Sequence, residues 1–317
     1  MGIANSQASE TLFHRRKKLL DRMKEQKVLH LMVLPSLILV LLFKYIPMAG
    51  TITAFKRYDI FEGIFRSPWA QNYGFEHFID LFRDPNFPVI IKNTLILAAM
   101  NLIAATLPPM MLAIMFNEMK SVRFKKINQT ITYLPHFLSW AVLGGIFYNL
   151  FSPNNGPVNS LLLKAGIIEK PVEFLYIPEI FRPFVVLANM WKEMGWDSII
   201  YLAVITGIDM CLFEAIEIDG GGRWAKIRHV IWPALKGTFV VLFIMKVGRM
   251  VTGNQDMFDQ CYIMGNYATN SAAEILGLEN ARYSFAAAGG VFKAVVNITV
   301  LMCANAICKK LTDKSLF

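Results

Sequence analysis

Charged side chains are sparse in this chain, and those that interrupt apolar runs are the residues best placed to do chemistry. Lys192 and Glu193 lie inside one such run, with Asp197 following, and Lys246 and Arg249 lie inside another. A charge in hydrocarbon is costly, so such residues face a cavity, pair with one another, or relay ions or protons. Lys246 and Arg249 are three apart and share a helix face. Lys192 and Glu193 are adjacent, so their side chains leave a helix about 100° apart and are expected to point along different lines. Trp191 and Trp196 flank this patch and offer flat apolar rings. Two alternatives stand beside a polar pathway. The cations can snorkel or pair with Glu193, Asp197 or Asp256 for packing, or Glu193, Asp197 and Lys192 can form a proton relay, as in a proton-coupled secondary transporter.

Chemistry of other kinds is not expected. The sequence holds no G-x-x-x-x-G-K-[ST] phosphate loop, no H-E-x-x-H pair and no Ser/His/Asp arrangement, so the chain is not expected to be an enzyme. Its five histidines (His14, His30, His77, His136, His229) are scattered, and His136, just after Pro135, either faces a pathway or packs. Cys211, Cys261, Cys303 and Cys308 form no C-x-x-C pair. Only Cys261 is expected on the oxidising side, so neither a disulfide nor a metal site is expected, and no cofactor. The first six residues fit an N-myristoylation pattern, but a chain with several spans needs no acyl anchor. The basic run before the first apolar stretch lacks a cleavage site, so that stretch is an uncleaved first helix.

These residues need elements to hold them, and composition says which. Of 317 residues 55% are hydrophobic and 17% charged, and the mean hydropathy is +0.43. That excludes a soluble domain and implies an all-α polytopic membrane protein. Apolar runs place six spans at about 28–54, 93–116, 130–151, 183–207, 237–256 and 284–308. Pro108-Pro109 is expected to kink the second, and the polar stretch from Trp191 to Asp197 to interrupt the fourth. Ala286 to Gly290 in the sixth should allow close helix approach. Segment 1–27 is a basic tail, amphipathic at 12–23, and 309–317 a short basic tail. Residues 117–129 should be a basic loop and 257–283 a loop rich in Asn, Tyr and Gly. Lys and Arg number eighteen in the segments on the side of the termini and eight on the other. Positive charge stays inside, so both termini and the 209–233 loop are expected to be cytoplasmic. The net charge of +9 follows from that topology, and no nucleic-acid partner is implied.

The 209–233 loop, DMCLFEAIEIDGGGRWAKIRHVIWP, is a polar interval between two spans. Asp209 is a helix N-cap; Leu212, Ala215 and Ile216 recur at helical spacing, and Gly220-Gly221-Gly222 ends that helix. Glu214 and Glu217, three apart, form an acidic spot on it. After the turn, Trp224, Ile227 and Ile231 share one side and Arg223, Lys226 and Arg228 lie off it. That pattern predicts a helix lying on the membrane surface and ending at Pro233.

The same text, EAIEIDGGGRWAKIRHVIWPAL, resembles the EAA---G---------I-LP signature of permease subunits of ABC importers. Ile216 stands for the second Ala, Gly221 for Ala, Ile227 for Phe, Val230 for Ile and Trp232 for Leu. Leu34-Pro35, Phe43-Lys44-Tyr45-Ile46-Pro47 and the stretch from Tyr283 to Lys293 resemble the MalF-type sugar permeases, in the polysaccharide and oligosaccharide branch that includes the alginate importer. The resemblance implies a MetI/MalF-like permease core over 28–308. It implies that the loop is a coupling helix docking on a separate ATPase, with Glu214 paired to a basic residue of that subunit, Ala215, Glu217 and Asp219 beside it, and Gly220 making the return turn. ATP and Mg would be bound by that ATPase. The implied partners are a second homologous permease, two ATPase subunits, an extracytoplasmic solute-binding protein docking on the outer loops, an oligosaccharide and membrane lipid, in the bacterial cytoplasmic (inner) membrane. Trp191, Lys192, Glu193, Trp196, Lys246 and Arg249 are then candidates for the substrate pathway. Their excess of cations suits an anionic saccharide such as a uronate oligomer.

Overall fold

The computed structural model describes residues 26–250, 255–265, 269 and 283–312. The amphipathic stretch expected at 12–23 and the end of the basic C-terminal tail lie outside them. Among the described residues the structure is helical, with one isolated antiparallel bridge between Lys56 and Trp69. Four helices are long and apolar enough to cross a membrane: Lys27–Phe55, Phe87–Glu118, Arg223–Arg249 and Tyr283–Lys310. Two bent pairs, Val122–Phe137 with Trp140–Phe151 and Pro178–Thr206 with Met210–Ile218, bring the count to as many as six. The expected fold class, all-α and polytopic, holds.

Several boundaries differ from expectation, each for a local reason. The second span starts at Phe87, with Pro88 in its first turn where a missing N–H costs nothing, and it continues unbroken through Pro108-Pro109 to Glu118. The third is not one straight helix. Its two pieces meet at 105°, because Leu138 and Ser139 are extended and the Ser139 hydroxyl accepts from Val142 N to start the second piece. Its first piece takes in much of the expected 117–129 loop. The fourth span runs without interruption from Pro178 to Thr206; the polar stretch inside it satisfies its side chains across helices instead of breaking the backbone. Residues 255–264 are helical rather than loop, and Cys261 and Met264 there pack against Leu97, Trp140 and Val185.

The expected surface helix at Trp224 is also absent. From Arg223 the chain runs as one helix to Arg249, straight through Pro233. The reason is a π turn at Ile227–Ile231. Proline clashes with the carbonyl four residues back, here His229, and that carbonyl lies inside the widened turn, where the chain absorbs it. The first span uses the same device, with a π turn at Leu41–Tyr45 just before Pro47.

Among the described residues the core is two large apolar layers, with a small third cluster where Val240 and Ile244 meet Cys308. One gathers Leu97, Trp140, Leu143, Phe181, Val185 and neighbours; the other gathers Met110, Ala113, Tyr201, Ile205, Ile231 and Leu235. Residues of the second span pair with residues of the fourth in ascending order, Asn93 with Arg182 and Asn101 with Asn189, so the two helices run parallel. Gly195 lets the fourth span touch the backbone of Thr132.

Residues 56–77, between the first two spans, are folded rather than loose. The buried Lys56 ammonium donates to the carbonyls of Ile64 and Phe65 and lies 5.3 Å from the Trp69 ring centroid. Arg57 grips Glu76 through two hydrogen bonds, 2.9 and 2.5 Å. Those bonds, with a third from Gln71 N, hold the Glu76 carboxyl down at about 2. A carboxyl depressed in the folded state stabilises the fold fully above its unfolded value, and that contribution is lost as pH falls through the folded value. Hydrogen-exchange protection of the 57–76 amides should therefore survive the ordinary carboxylate range and fail only as pH nears about 2. Glu76→Gln should abolish that pH dependence. Loss of protection already near the ordinary value in the native chain would show that the clasp does not hold the loop.

Candidate functional site

Two sites emerge, one on the 209–233 loop and one inside the bundle. On the loop, Asp209 caps the helix Met210–Ile218 by accepting from Cys211 N at 3.0 Å. That bond holds its carboxyl below the usual range. The helix ends where Gly221 N donates to Ile216 O and Gly220 adopts φ +75°, a conformation that glycine takes without steric cost. Phe213 anchors the helix in the core beside Ile205 and Ile231. Glu217 pairs with Lys226 across the turn, and Arg223 lies 3.7 Å from Glu118 at the end of the second span. Glu214, Ala215 and Asp219 are exposed. Glu214 has no hydrogen bond or ion pair to any described residue. Of the two loop glutamates Glu217 is paired within the chain, with 62% of its side chain still exposed, and Glu214 has no partner among the described residues.

Two departures from the family pattern explain each other. A Cβ on Gly221 would stand 2.4 Å from Cγ2 of Ile216. The larger Ile216 therefore favours the smaller Gly221, where a Cβ would also lie 3.0 Å from both Ala225 Cβ and Ile216 O.

Inside the bundle, the break in the third span meets the middle of the fourth. Glu193 accepts from Lys192 Nζ at 2.5 Å and lies 2.7 Å from His136 Nδ1. The reach of the lysine chain overcomes the angular separation that spacing alone suggested, so Lys192 and Glu193 do converge. Lys192 is only 4% exposed, and its ammonium lies 5.6 Å from the Trp140 ring centroid. The His136 ring stacks on Trp196, 4.4 Å between centroids at 3°, and Phe137 meets the same indole edge-on. Trp196 remains half-exposed beside this cluster. Trp191 lies apart from it, edge-on to Phe147. One helical turn along, Lys246 of the fifth span pairs with Asp197 and donates to the Ala105 carbonyl of the second at 2.5 Å. Arg249 is exposed near the end of that span, and the Asp256 side chain lies outside the described residues.

Both lysines are paired with carboxylates, Lys192 with Glu193 and Lys246 with Asp197, so these two pairs carry no surplus of positive charge. Composition and spacing had not revealed the polar ladder between the second and fourth spans. There Arg182 donates to Asn93 at 2.5 Å and Asn189 to Asn101 at 3.0 Å. Its trace in the sequence is spacing. Asn93 and Asn101 are eight apart and Arg182 and Asn189 seven apart, each pair two turns along one face.

No protein-family model matches this chain, but individual proteins do, nearly end to end. The polygalacturonan/rhamnogalacturonan transport system permease protein YteP of Bacillus subtilis (strain 168) is 39% identical over 310 residues, spanning 96% of this chain and 94% of YteP. Protein LplB of the same organism is 35% identical over 302 residues, spanning 93% and 92%. Among solved structures, a chain of a bacterial ABC transporter involved in the import of the acidic polysaccharide alginate superposes with a TM-score of 0.82 at 36% identity, covering 93% of this chain and 99% of that one. A chain of the alginate ABC transporter in complex with alginate pentasaccharide-bound periplasmic protein does so equally well, at 35% identity. With that identity along its whole length, and with the exposed glutamate loop and the broken-helix bundle already described, this chain belongs to the permease subunits of ABC sugar importers.

Proposed function

We propose that this permease carries acidic oligosaccharides, of the uronate type, from an extracytoplasmic solute-binding protein into the cytoplasm. The relatives carry this reading: YteP is named for polygalacturonan and the matched solved chains for alginate, and both polymers bear a carboxylate on each uronate ring. The lysines of the fourth and fifth spans do not support it, since Glu193 and Asp197 neutralise them. Trp196, half-exposed and backed by His136, offers the flat face on which a sugar ring stacks. A proton-coupled secondary transporter finds no support, because it fits neither the family nor carboxylates held in ion pairs.

The chain forms half of the pathway beside a second homologous permease, in the bacterial cytoplasmic membrane with both termini inside. Two ATPase subunits bind ATP and Mg and take Glu214 of the loop as the docking charge, with Ala215 giving close approach, Glu217 held back by Lys226, and Asp219 and Gly220 shaping the turn.

Uptake by the reconstituted complex, compared between an oligogalacturonate and a neutral maltodextrin of equal length, tests the substrate class. The acidic chain should be favoured by about tenfold or more in kcat/KM. A preference for the neutral sugar would sink the acidic assignment.

A further inference from the structure

Lys246 reaches a backbone acceptor that only a proline exposes. In an α-helix the N–H of each residue donates to the carbonyl four residues back. Position 109 is proline, which has no N–H, so the Ala105 carbonyl lacks its helical donor. An unpaired acceptor inside an apolar span is costly, and neighbouring helices commonly satisfy it. Here the fifth span does so. Lys246 Nζ lies 2.5 Å from Ala105 O and also donates to Oδ2 of Asp197 on the fourth span. One ammonium thus joins the backbone of the second span, a carboxylate of the fourth and the fifth span that carries it. The two side chains keep 22% and 27% exposure, so the junction borders a partly open space.

The fifth span is also the helix that leaves the 209–233 loop. It starts at Arg223, directly after the glycine turn, and runs unbroken to Arg249, with a rise of about 35 Å between Arg223 and Lys246. At its start Arg223 lies 3.7 Å from Glu118 of the second span, a partly exposed pair. From there on its packing on the second and fourth spans is led by apolar side chains, Ile231 and Leu235 against Met110, Tyr201 and Ile205. Apolar layers resist separation but fix axial register weakly. A charged junction with two directional acceptors fixes it firmly.

We propose that Lys246 is a positioning residue for transport: seated on the Ala105 carbonyl that Pro109 leaves free and on Asp197, it locks the second, fourth and fifth spans in axial register. Displacement of the 209–233 loop is then delivered to the second and fourth spans instead of being lost as sliding of the fifth. This rests on the coupling role given to the loop above.

The test uses the complete importer in liposomes, with saccharide uptake and ATP hydrolysis measured together. Removing both charges, Lys246→Met with Asp197→Leu, leaves no unpaired ion and keeps the assembly intact. Uptake per ATP should nevertheless fall about tenfold. A native ratio in that double variant would overturn the proposal, because charge compensation alone would then explain the pair. The part played by the carbonyl is read separately from thermal midpoints. Pro109→Ala returns an N–H to Ala105, so the loss shown by the Lys246→Met, Asp197→Leu double variant, which strands no carboxylate, should shrink by about half or more in that background, as expected for sites sharing a partner. Additive losses would remove the carbonyl from the junction. Glu214→Ala is assayed alongside. If it uncouples and the Lys246 double variant does not, the junction fails alone; if Glu214→Ala is native, the loop's coupling role fails.

Discussion

Reversing one exposed charge, Glu214→Lys, should lower saccharide uptake by the assembled importer about a hundredfold while leaving the stability of the permease within about 0.5 kcal/mol of native. The two effects separate because of where Glu214 sits. It is exposed on the helix Met210–Ile218 and bonds to no described residue, so none of the described residues depends on it. Its neighbour Glu217 is already engaged by Lys226 and cannot take its place. Truncating a charge from a buried pair across an interface costs about 2–5 kcal/mol, much of it from the abandoned partner charge, and reversal adds repulsion. Uptake, stimulated ATPase activity and the amount of ATPase subunit retained on the purified complex should all fall. Native values for the three would remove Glu214 from the interface. The milder exchange of Gly221→Ala with Ile216→Ala, which restores the commoner family pairing, removes the 2.4 Å clash with Cγ2 of Ile216 and should leave uptake near native, with the turn shifting to ease the contacts to Ala225 Cβ and Ile216 O, each 3.0 Å away.

The second large effect is structural. Gly195→Ala should destabilise the permease by about 3 kcal/mol or more, near the upper end of the usual cost of overpacking. The added Cβ would lie 2.0 Å from Thr132 O, 2.5 Å from Thr132 C and 3.1 Å from Tyr133 N. All three are backbone atoms, so no rotamer change relieves the clash. The first piece of the third span must move away from the fourth. That movement separates His136 from both Trp196 and Glu193, so destabilisation and loss of the His136 cluster should appear together. Gly290→Ala in the sixth span serves as the control, because no heavy atom outside its immediate chain neighbours lies within 4 Å of that position. Thermal unfolding of the detergent-solubilised complex distinguishes the two variants; equal midpoints would mean that the third and fourth spans do not pack through Gly195.

The 209–233 loop was largely legible in the sequence because its signals are local. An N-cap and a glycine turn each act within a few residues, and Asp209 and Gly220 behave as such signals direct, while the anchor in the core is Phe213 and not the exposed Leu212 and Ala215 of the expected apolar face. What stayed hidden depended on partners distant in the chain. Pro233 is a stop signal by itself, and the π turn that lets the helix pass it has no side-chain signature. Leu138 and Ser139 break the third span at a point where only Pro135 hints at a change. Gly195, inside a polar run, gave no sign of a packing role, while in the run of small residues from Ala286 to Gly290 the burial falls on Ala288 and Gly289 and not on Gly290. The pairing of Lys192 with Glu193 stood only as one alternative, because spacing gives the direction of the Cβ atom, whereas a lysine ammonium can swing well away from that direction.

The first span differs from its neighbours in how it tolerates change. Residues 27–48 bury no side chain against the other described residues, and the packing of this span lies at its end near Ala54, beside the sixth span and the 56–77 segment. Within this chain, selection on most of that helix is therefore selection on solubility in hydrocarbon and on length, and any apolar side chain satisfies both. Leu37 can become Ile, Met or Phe at little cost to the bundle, whereas Leu97, fully enclosed, cannot change shape without leaving a void or a clash. Left to drift, the two leucines would record different histories: the first a shifting apolar composition, the second one shape held fixed by its neighbours.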